Sequence, residues 1–350
     1  MTKKTRISLM GGTGYAAAEL IRRAVQHPNV ELVRISSVDK VGENIGLTHK
    51  NFGDRLNYKF ENLTPEEVAR DCDIVFLALP HKVSYLKAPE LFKTGVRVID
   101  FSGDYRIRDI ATYNKYYETT HTNPENISSF VYGLPELHRE KIRQAKRIAN
   151  PGCFATAVAL GLIPLAKAGL LKGRTRTFAS TGSTGAGVMP QEGTHHPVRS
   201  LNMKCYKTFN HQHLPEMEQT MMDAGAINFS LDFVPMSAPV SRGMLATSYV
   251  DLPASIKKED VDQIFKDYYK NEPFIRLLGK TMPETVAVAG TNFCDIGWVL
   301  APERDGTKTL AVITVIDNLV KGAAGQAIHN MNLMMGFDEM AGLNEFGVWP

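Results

Sequence analysis

The sequence predicts an α/β protein in two parts, a parallel-sheet unit in its first half and an α+β unit in its second. Three observations carry that prediction. A strand, a glycine-rich turn and a helix open the chain at residues 6–26. Two strongly apolar runs, Asp73–Pro80 and Val96–Ser102, read as strands buried on both faces. After residue 176 the pattern changes to several strands with few helices. A length of 350 residues suits about two domains.

Arg6–Met10 reads as the first strand, and Gly11-Gly12-Thr13-Gly14-Tyr15-Ala16-Ala17-Ala18 leads into a helix ending near Gln26. Val30–Ile35 is a second strand at the spacing of one βαβ unit. Together these make a Rossmann-type, dinucleotide-binding start. Gly11 and Gly12 permit a tight turn, Gly14 lets the backbone approach a pyrophosphate, and Ala17 allows close helix–strand packing. With Thr13, Tyr15 and Ala16 they form the candidate cofactor contacts at a helix N-terminus. Ser36, Ser37 and Lys40 follow the second strand and suit a 2′-phosphate, with Arg34 adding charge nearby. Asp39 is the contrary signal, the acid of an NAD site. The balance predicts NADP(H). Pro80 ends the next strand, where ligands line the crevice of an open sheet, and is a further cofactor candidate. Arg106, just beyond the Val96–Ser102 strand, is placed to clamp a carboxylate or phosphate. The Tyr-, Asn- and Thr-rich stretch Asn114–Ser129 reads as a long surface excursion.

Asn150-Pro-Gly-Cys153 then turns into an Ala- and Leu-rich apolar run that Gly169 stops. Cys153 therefore falls at a helix N-terminus, where unsatisfied N–H groups favour a thiolate and lower a thiol pKa from about 8.5. The competing reading is an inert buried cysteine. Thr177–Thr181 is a strand, followed by a second glycine-rich loop, Gly182–Gly187. Ser183 and Gly185 in that loop suit a phosphate or nicotinamide contact, and the composition equally suits a flexible linker. Four histidines at 195, 196, 211 and 213, with Cys205 and Glu216, do not match a zinc spacing, so no metal is predicted. A base for Cys153 explains His211 or His213 more simply. Phe229–Val234, Met244–Asp251, Thr285–Val288 and Leu310–Ile316 read as strands, Ile256–Tyr269 as an amphipathic helix, and Asp317–Ala327 as a turn into a last helix.

Acids and bases are interspersed and no basic block occurs, which argues against nucleic acid as a partner. The four cysteines form no C-x-x-C pair, pointing to a reducing compartment. No signal-length apolar core stands at the N-terminus, and Pro164 and Lys167 interrupt the run after Cys153. The expectation is a soluble, cytoplasmic protein without a membrane span.

Gly11-x-x-Gly14-Tyr15-x-x-x-Glu19-Leu20, Asn150-Pro-Gly-Cys153, Gly182-Ser-Thr-Gly-Ala-Gly187, His211-x-His213-x-Pro-Glu216 and Asp317-Asn-x-x-Lys-Gly322 occur in that order. This set resembles the N-acetyl-γ-glutamyl-phosphate reductases of arginine biosynthesis, relatives of aspartate-semialdehyde dehydrogenases, over nearly the whole chain. The resemblance implies an NADP-dependent acyl-phosphate reductase that works through a cysteine thioester. Cys153 matches the family nucleophile, His211 its general base and Arg106 a substrate-binding arginine. Asn318 lies in the segment expected near the nicotinamide. His213, Glu216 and Arg242 complete the candidate substrate-binding set. The implied layout is a cofactor domain over 1–152, a catalytic and dimerisation domain over 153–321, and a C-terminal segment 322–350 packing back on the first. The partners expected are a small acyl phosphate and further copies of the chain, as a dimer or tetramer. Two departures stand out. Ala16-Ala17-Ala18 replaces the family's glycines, and His195-His196-Pro197 resembles reductases acting on carrier-protein-bound aminoadipate phosphate. The alternatives are therefore that lysine-pathway reaction, an aspartate-semialdehyde dehydrogenase-like enzyme, or a non-catalytic dinucleotide sensor.

Overall fold

The computed structural model describes residues 4–349. They form two compact units. One runs through Gly152 and takes in Ala323–Asn344; the other is Cys153–Gly322 with the residues from Glu345 on.

The first unit is built on β1 (Thr5–Met10), α1 (Tyr15–Ala24) and β2 (Val30–Ser36). Two short helices follow, α2 (Ile45–Thr48) and α3 (Pro65–Ala69), then β3 (Ile74–Leu77), α4 (Ser84–Thr94) and β4 (Arg97–Asp100). The strands pair in parallel because each crossover carries a helix or loop back over the sheet. After α5 (Ile110–Tyr117) come β5 (Val131–Tyr132), α6 (Pro135–Gln144) and β6 (Arg147–Ala149). The sheet order is β2-β1-β3-β4-β6-β5. β3 is fully buried, as its unbroken apolar run requires.

The expectation of a surface excursion over Asn114–Ser129 is corrected. Tyr113 and Tyr117 of α5, together with Ile127, are buried in the core. Asp104 explains this. It is fully buried and accepts hydrogen bonds from the N–H of Lys82 and Tyr85 and from the Tyr113 hydroxyl. His121 Nε2 donates to the Asp104 carbonyl at 2.9 Å, and Tyr105 donates to Asn123 Oδ1. Polar side chains that read as solvated thus satisfy one another inside.

In the second unit, α7 (Cys153–Lys167) is buried from Phe154 to Ala166. Pro164 within it has no N–H, so the Leu160 carbonyl loses its helical partner. The Tyr269 hydroxyl donates to that carbonyl instead. β7 (Lys172–Thr181) follows, then the short helix α8 (His196–Arg199), β8 (Lys204–Cys205), α9 (Leu214–Asp223), β9 (Ile227–Ser237), β10 (Met244–Pro253) and α10 (Lys258–Tyr269). β11 (Ile275–Leu277), β12 (Cys294–Leu300) and β13 (Thr307–Ile316) complete a mixed sheet of order β11-β12-β13-β10-β7-β9-β8. Thr285–Val288, expected as a strand, is one turn of 3-10 helix, too short and too closely wound to join the sheet. The helices outnumber the expectation for this half; α9 escaped because its polar face and short length give a weak period.

Along β10, Met244, Ala246, Ser248, Val250 and Leu252 are buried and the alternate residues are not. The buried row faces α7. On the opposite face Tyr249 pairs in register with Ala311, and Ala311 with Val299. Tyr249, Val299 and Phe178 are exposed there.

The last helix, α11 (Gly325–Met335), belongs to the first unit, where it packs on α6 and α1. It is buried from Gly325 to Met334 although it carries Gln326, Asn330 and Asn332. Gln326 and Asn330 both donate to the Gly133 carbonyl, and Asn332 Oδ1 pairs with His27 Nε2 at 2.9 Å. The expected return of 322–350 to the first unit holds for Ala323–Asn344, while Gly322 and the segment from Glu345 on group with the second. Gly347 lies against the carbonyls of Ala287 and Ala289, and Trp349 helps line a cavity with Arg276, Met282 and Asp295.

Candidate active site

In the first unit the glycine turn follows β1. Gly11 has φ +96°, and a Cβ there would collide with the Ala78 carbonyl oxygen. A Cβ on Gly12 would strike Ile35 Cγ2. Both glycines donate their N–H to the Ser36 carbonyl, at 2.9 and 3.0 Å. They shape the turn and are not themselves anion donors. Gly14 is the N-cap of α1, extended at φ −79° and ψ 164°, with no side-chain cap and no acid in the first turn. A Cβ on Gly14 would meet nothing within 4 Å. Open N–H groups, an open approach and no competing carboxylate fit the pyrophosphate of a dinucleotide at Thr13, Gly14, Tyr15 and Ala16.

The residues read for a 2′-phosphate divide. Ser36 is buried beneath the turn, its Oγ accepting from Leu63 N–H. Ser37 is also buried and accepts from Asp39 N–H. Lys40 is exposed at φ 58° with Nζ donating to Thr48 Oγ1 at 3.1 Å. Arg34 donates to the Arg70 carbonyl. Pro80 is exposed beyond the end of β3.

Arg106 is only 5% exposed. Its Nε donates to the Asn150 carbonyl at 2.7 Å and its Nη2 to the Phe101 carbonyl at 2.6 Å. It therefore braces the backbone that leads to Cys153. Asn150 is tied further: Nδ2 donates to the Ala323 carbonyl at 3.0 Å, Oδ1 accepts from Asn330 Nδ2, and its N–H bonds the Asp100 carbonyl. Asp100 is fully buried, and its pKa is pushed up to about 6 by that burial and then by the nearby Asp104 carboxylate.

In the second unit Cys153 is the first residue of α7, half-buried, with no acid in the first turn. The positive helix end favours negative charge on sulfur. Gly322 abuts it: a Cβ there would lie 2.8 Å from Cys153 Cβ. The Phe154 ring makes T-shaped contacts with His211 and His213, at 5.2 and 6.1 Å between centroids. The two histidines form the turn into α9, with their rings 4.8 Å apart. His213 N–H donates to His211 Nδ1 at 3.1 Å, so neutral His211 carries its proton on Nε2. Glu216 is fully buried in the first turn of α9, where a carboxylate suits the helix end.

Tyr206 was missed by sequence reasoning. Its ring packs 5.7 Å from that of His211, and its pKa is raised first by burial and then by Cys153. Nothing local marks it; it sits in an unremarkable polar stretch. Arg242 is held by Asp317 Oδ2 at 3.4 Å, and the same oxygen accepts the Gly290 N–H at 2.7 Å. The Asn318 side chain bridges two turns, accepting from Gly243 N–H at 2.9 Å and donating to Thr184 Oγ1 at 3.0 Å. It positions the Ser183–Ala186 turn, which is one turn of helix and not a linker. His195 and His196 lie on the exposed stretch around α8.

A helix-start thiol with an imidazole in one unit, and an open dinucleotide turn in another, is the equipment of a semialdehyde dehydrogenase. Family models agree: residues 6–145 match the semialdehyde dehydrogenase NAD binding domain and residues 153–318 the semialdehyde dehydrogenase dimerisation domain. In fold the chain is similar to aspartate semialdehyde dehydrogenase II from Vibrio cholerae complexed with ASA (TM-score 0.71, 17% identity, covering 96% of this chain and 99% of that one). It is likewise similar to the Candida albicans aspartate semialdehyde dehydrogenase with NADP (TM-score 0.67, 14% identity, 95% and 99% covered). Within that class the chain belongs to the N-acetyl-γ-glutamyl-phosphate reductase family. It is 42% identical over 347 residues to the N-acetyl-γ-glutamyl-phosphate reductase of Methanococcus maripaludis strain C5, covering 98% of this chain and 99% of that protein.

Proposed function

We propose that this chain reduces an N-acyl-γ-glutamyl phosphate, N-acetyl in the first instance, to the N-acyl-glutamate semialdehyde and phosphate, as a step of arginine biosynthesis in the cytoplasm. The observation that carries the reading is Cys153 at the acid-free start of a helix buried from Phe154 to Ala166, with His211 packed on the next residue. In the forward direction the Cys153 thiolate attacks the acyl carbon, the carbon–oxygen bond to phosphate breaks, and phosphate leaves with the electron pair. NADPH, when bound, supplies the hydride that reduces the thioester. Reduction leaves an oxyanion on the former carbonyl oxygen. His211 presents Nε2–H as the donor to that oxyanion and recovers the proton as the intermediate collapses, expelling the Cys153 sulfur.

Thr13 to Ala16 hold the pyrophosphate, Ser37 and Lys40 the 2′-phosphate, and the Ser183–Gly185 turn, set by Asn318, the nicotinamide end. Arg106 and Arg242 supply cationic partners for substrate carboxylate and phosphate, with His213 facing its remaining polar groups and the buried Glu216 behind it in the first turn of α9. The chain acts as a homodimer through the exposed sheet face bearing Phe178, Tyr249 and Val299. The deciding assay is phosphate-dependent, NADP-linked oxidation of N-acetylglutamate semialdehyde, run beside aspartate semialdehyde and carrier-bound aminoadipate semialdehyde. A preference for either competitor moves the substrate. NADP binding without turnover on any of them points to a sensor.

A further inference from the structure

Of residues 37–64, between β2 and α3, only Ser37 and Lys40 have a part in the function proposed above, yet the interior of the whole segment is built. Ser37 N–H donates to the Glu61 carbonyl and Glu61 N–H to the Ile35 carbonyl, which fastens the segment along β2. Gly42 and Phe60, and Phe60 and Glu43, are joined by backbone hydrogen bonds of 2.8 and 3.0 Å. Inside this clasp lies His49, 6% exposed. Its ring stands edge-on to Phe52 and Phe60, with centroids at 5.9 and 6.1 Å. Its Nε2 is 2.8 Å from the Gly12 carbonyl oxygen. A carbonyl only accepts, so Nε2 bears the proton.

Gly12 needs this support. Ile35 leaves no room for a Cβ there, and a glycine's peptide is the easiest to rotate. The Gly12 carbonyl and the Thr13 N–H are the two ends of one planar trans peptide and point in opposite directions. Whatever holds the carbonyl therefore aims the N–H. Because Gly11 and Gly12 donate to Ser36, Thr13 carries the first N–H of the turn that remains for an anion. α1 has no side-chain cap to set the turn instead.

We infer that His49 is a positioning residue of the dinucleotide turn: by holding the Gly12 carbonyl it presents the Thr13 N–H to the cofactor's pyrophosphate. A histidine suits the place because it is a planar donor that packs between aromatic rings and stays neutral. Burial lowers its pKa, outweighing the Gly12 hydrogen bond that raises it, and the Lys40 charge lowers it further. This inference rests on the NADP(H) reading alone and not on the identity of the acyl group.

The test compares His49→Phe, which keeps ring bulk without the donor, with His49→Gln, which keeps a donor. NADPH and 2′-AMP, which lacks a pyrophosphate, are titrated by fluorescence. His49→Phe should weaken NADPH about tenfold, the scale of one buried hydrogen bond. The loss should fall on the NADPH KM and not on kcat, leave 2′-AMP affinity alone, and be largely recovered in His49→Gln. Nitrogen-15 NMR of the cofactor-free protein should show His49 as the neutral Nε2–H tautomer at pH 7. An unchanged NADPH affinity, equal losses for both ligands, a Gln variant as poor as Phe, or the Nδ1–H tautomer would each overturn the inference. If His49→Phe does not fold, the Gln variant and the tautomer decide it. If the wild-type protein binds no NADPH, the cofactor reading falls, and the tautomer still decides whether His49 holds Gly12.

Discussion

The N-termini of α1 and α7 make the most instructive pair of regions in the molecule. Each follows a strand and a turn containing glycine, and neither has an acid in its first turn. Their surroundings are opposite. At α1 the capping position is Gly14, with empty space where a side chain would stand. At α7 the first residue is a cysteine, and the space beside it is so close that only a hydrogen of Gly322 fits. One helix end thus offers bare N–H groups to a visiting anion, and the other fixes a resident sulfur. In the proposed function the same partial charge serves binding in one unit and chemistry in the other. What separates the two uses is how tightly the first residue is confined.

Replacing the sulfur strikes the comparison hardest. Cys153→Ser should abolish nearly all turnover and leave NADPH titration unchanged, since an unactivated hydroxyl is a far poorer nucleophile. Substantial residual turnover would mean that α7 holds no nucleophile. Next in size is His211→Asn, whose amide oxygen still accepts the His213 N–H. Its kcat should fall about 10²–10⁴-fold, or about 3–5 kcal/mol of barrier, while Cys153 still reacts with iodoacetamide. His213→Asn should lose much less; the reverse order would transfer the proton to His213.

Confinement itself is probed by Gly322→Ala. Its methyl cannot share space with Cys153 Cβ at 2.8 Å, so one must move. A kcat loss of about 10²-fold is expected from a misplacement of this scale, together with slower thiol alkylation and intact NADPH binding. Normal alkylation and turnover would show that the sulfur is not held by Gly322. The smallest effect on turnover is predicted at the other helix. Gly14→Asp fits sterically and in φ, and its carboxylate would cap α1. Thermal unfolding should show a gain of only about a few tenths of a kcal/mol, because glycine is itself a fair N-cap, whereas NADPH binding should weaken about tenfold because the cap occupies and repels at the anion's place. Unweakened NADPH binding would remove the pyrophosphate from that helix end.

Both helix ends were legible in the sequence because their signals are local: a strand, a turn residue and an apolar or small-residue run within a dozen positions. What surrounds them was not. Arg106 read as a substrate clamp, and its visible partners are the Phe101 and Asn150 carbonyls, a pairing set by how β4 and β6 lie side by side. Tyr113, Tyr117, His121 and Asn123 have the composition of a surface loop and are buried only because Asp104 collects their neighbours. His49 lies in a segment with no periodicity, and its role depends on a carbonyl 37 residues away. Tyr206 and the proton position on His211 likewise depend on packing and on a backbone bond that spacing cannot express.

The placement of α11 bears on how the polypeptide is made. Every strand of both sheets precedes it in the chain, and the second unit's sheet has its last strand by Ile316. The cofactor unit, begun first on the ribosome, must wait for Gly325–Met335 before α6 and α1 gain their partner. A chain ending near residue 320 would therefore hold every strand of both sheets but lack the helix that covers α6 and α1, leaving the seat of α11 open to chaperones. Synthesis order keeps the unit that starts the chain incomplete until every strand of the other has been made.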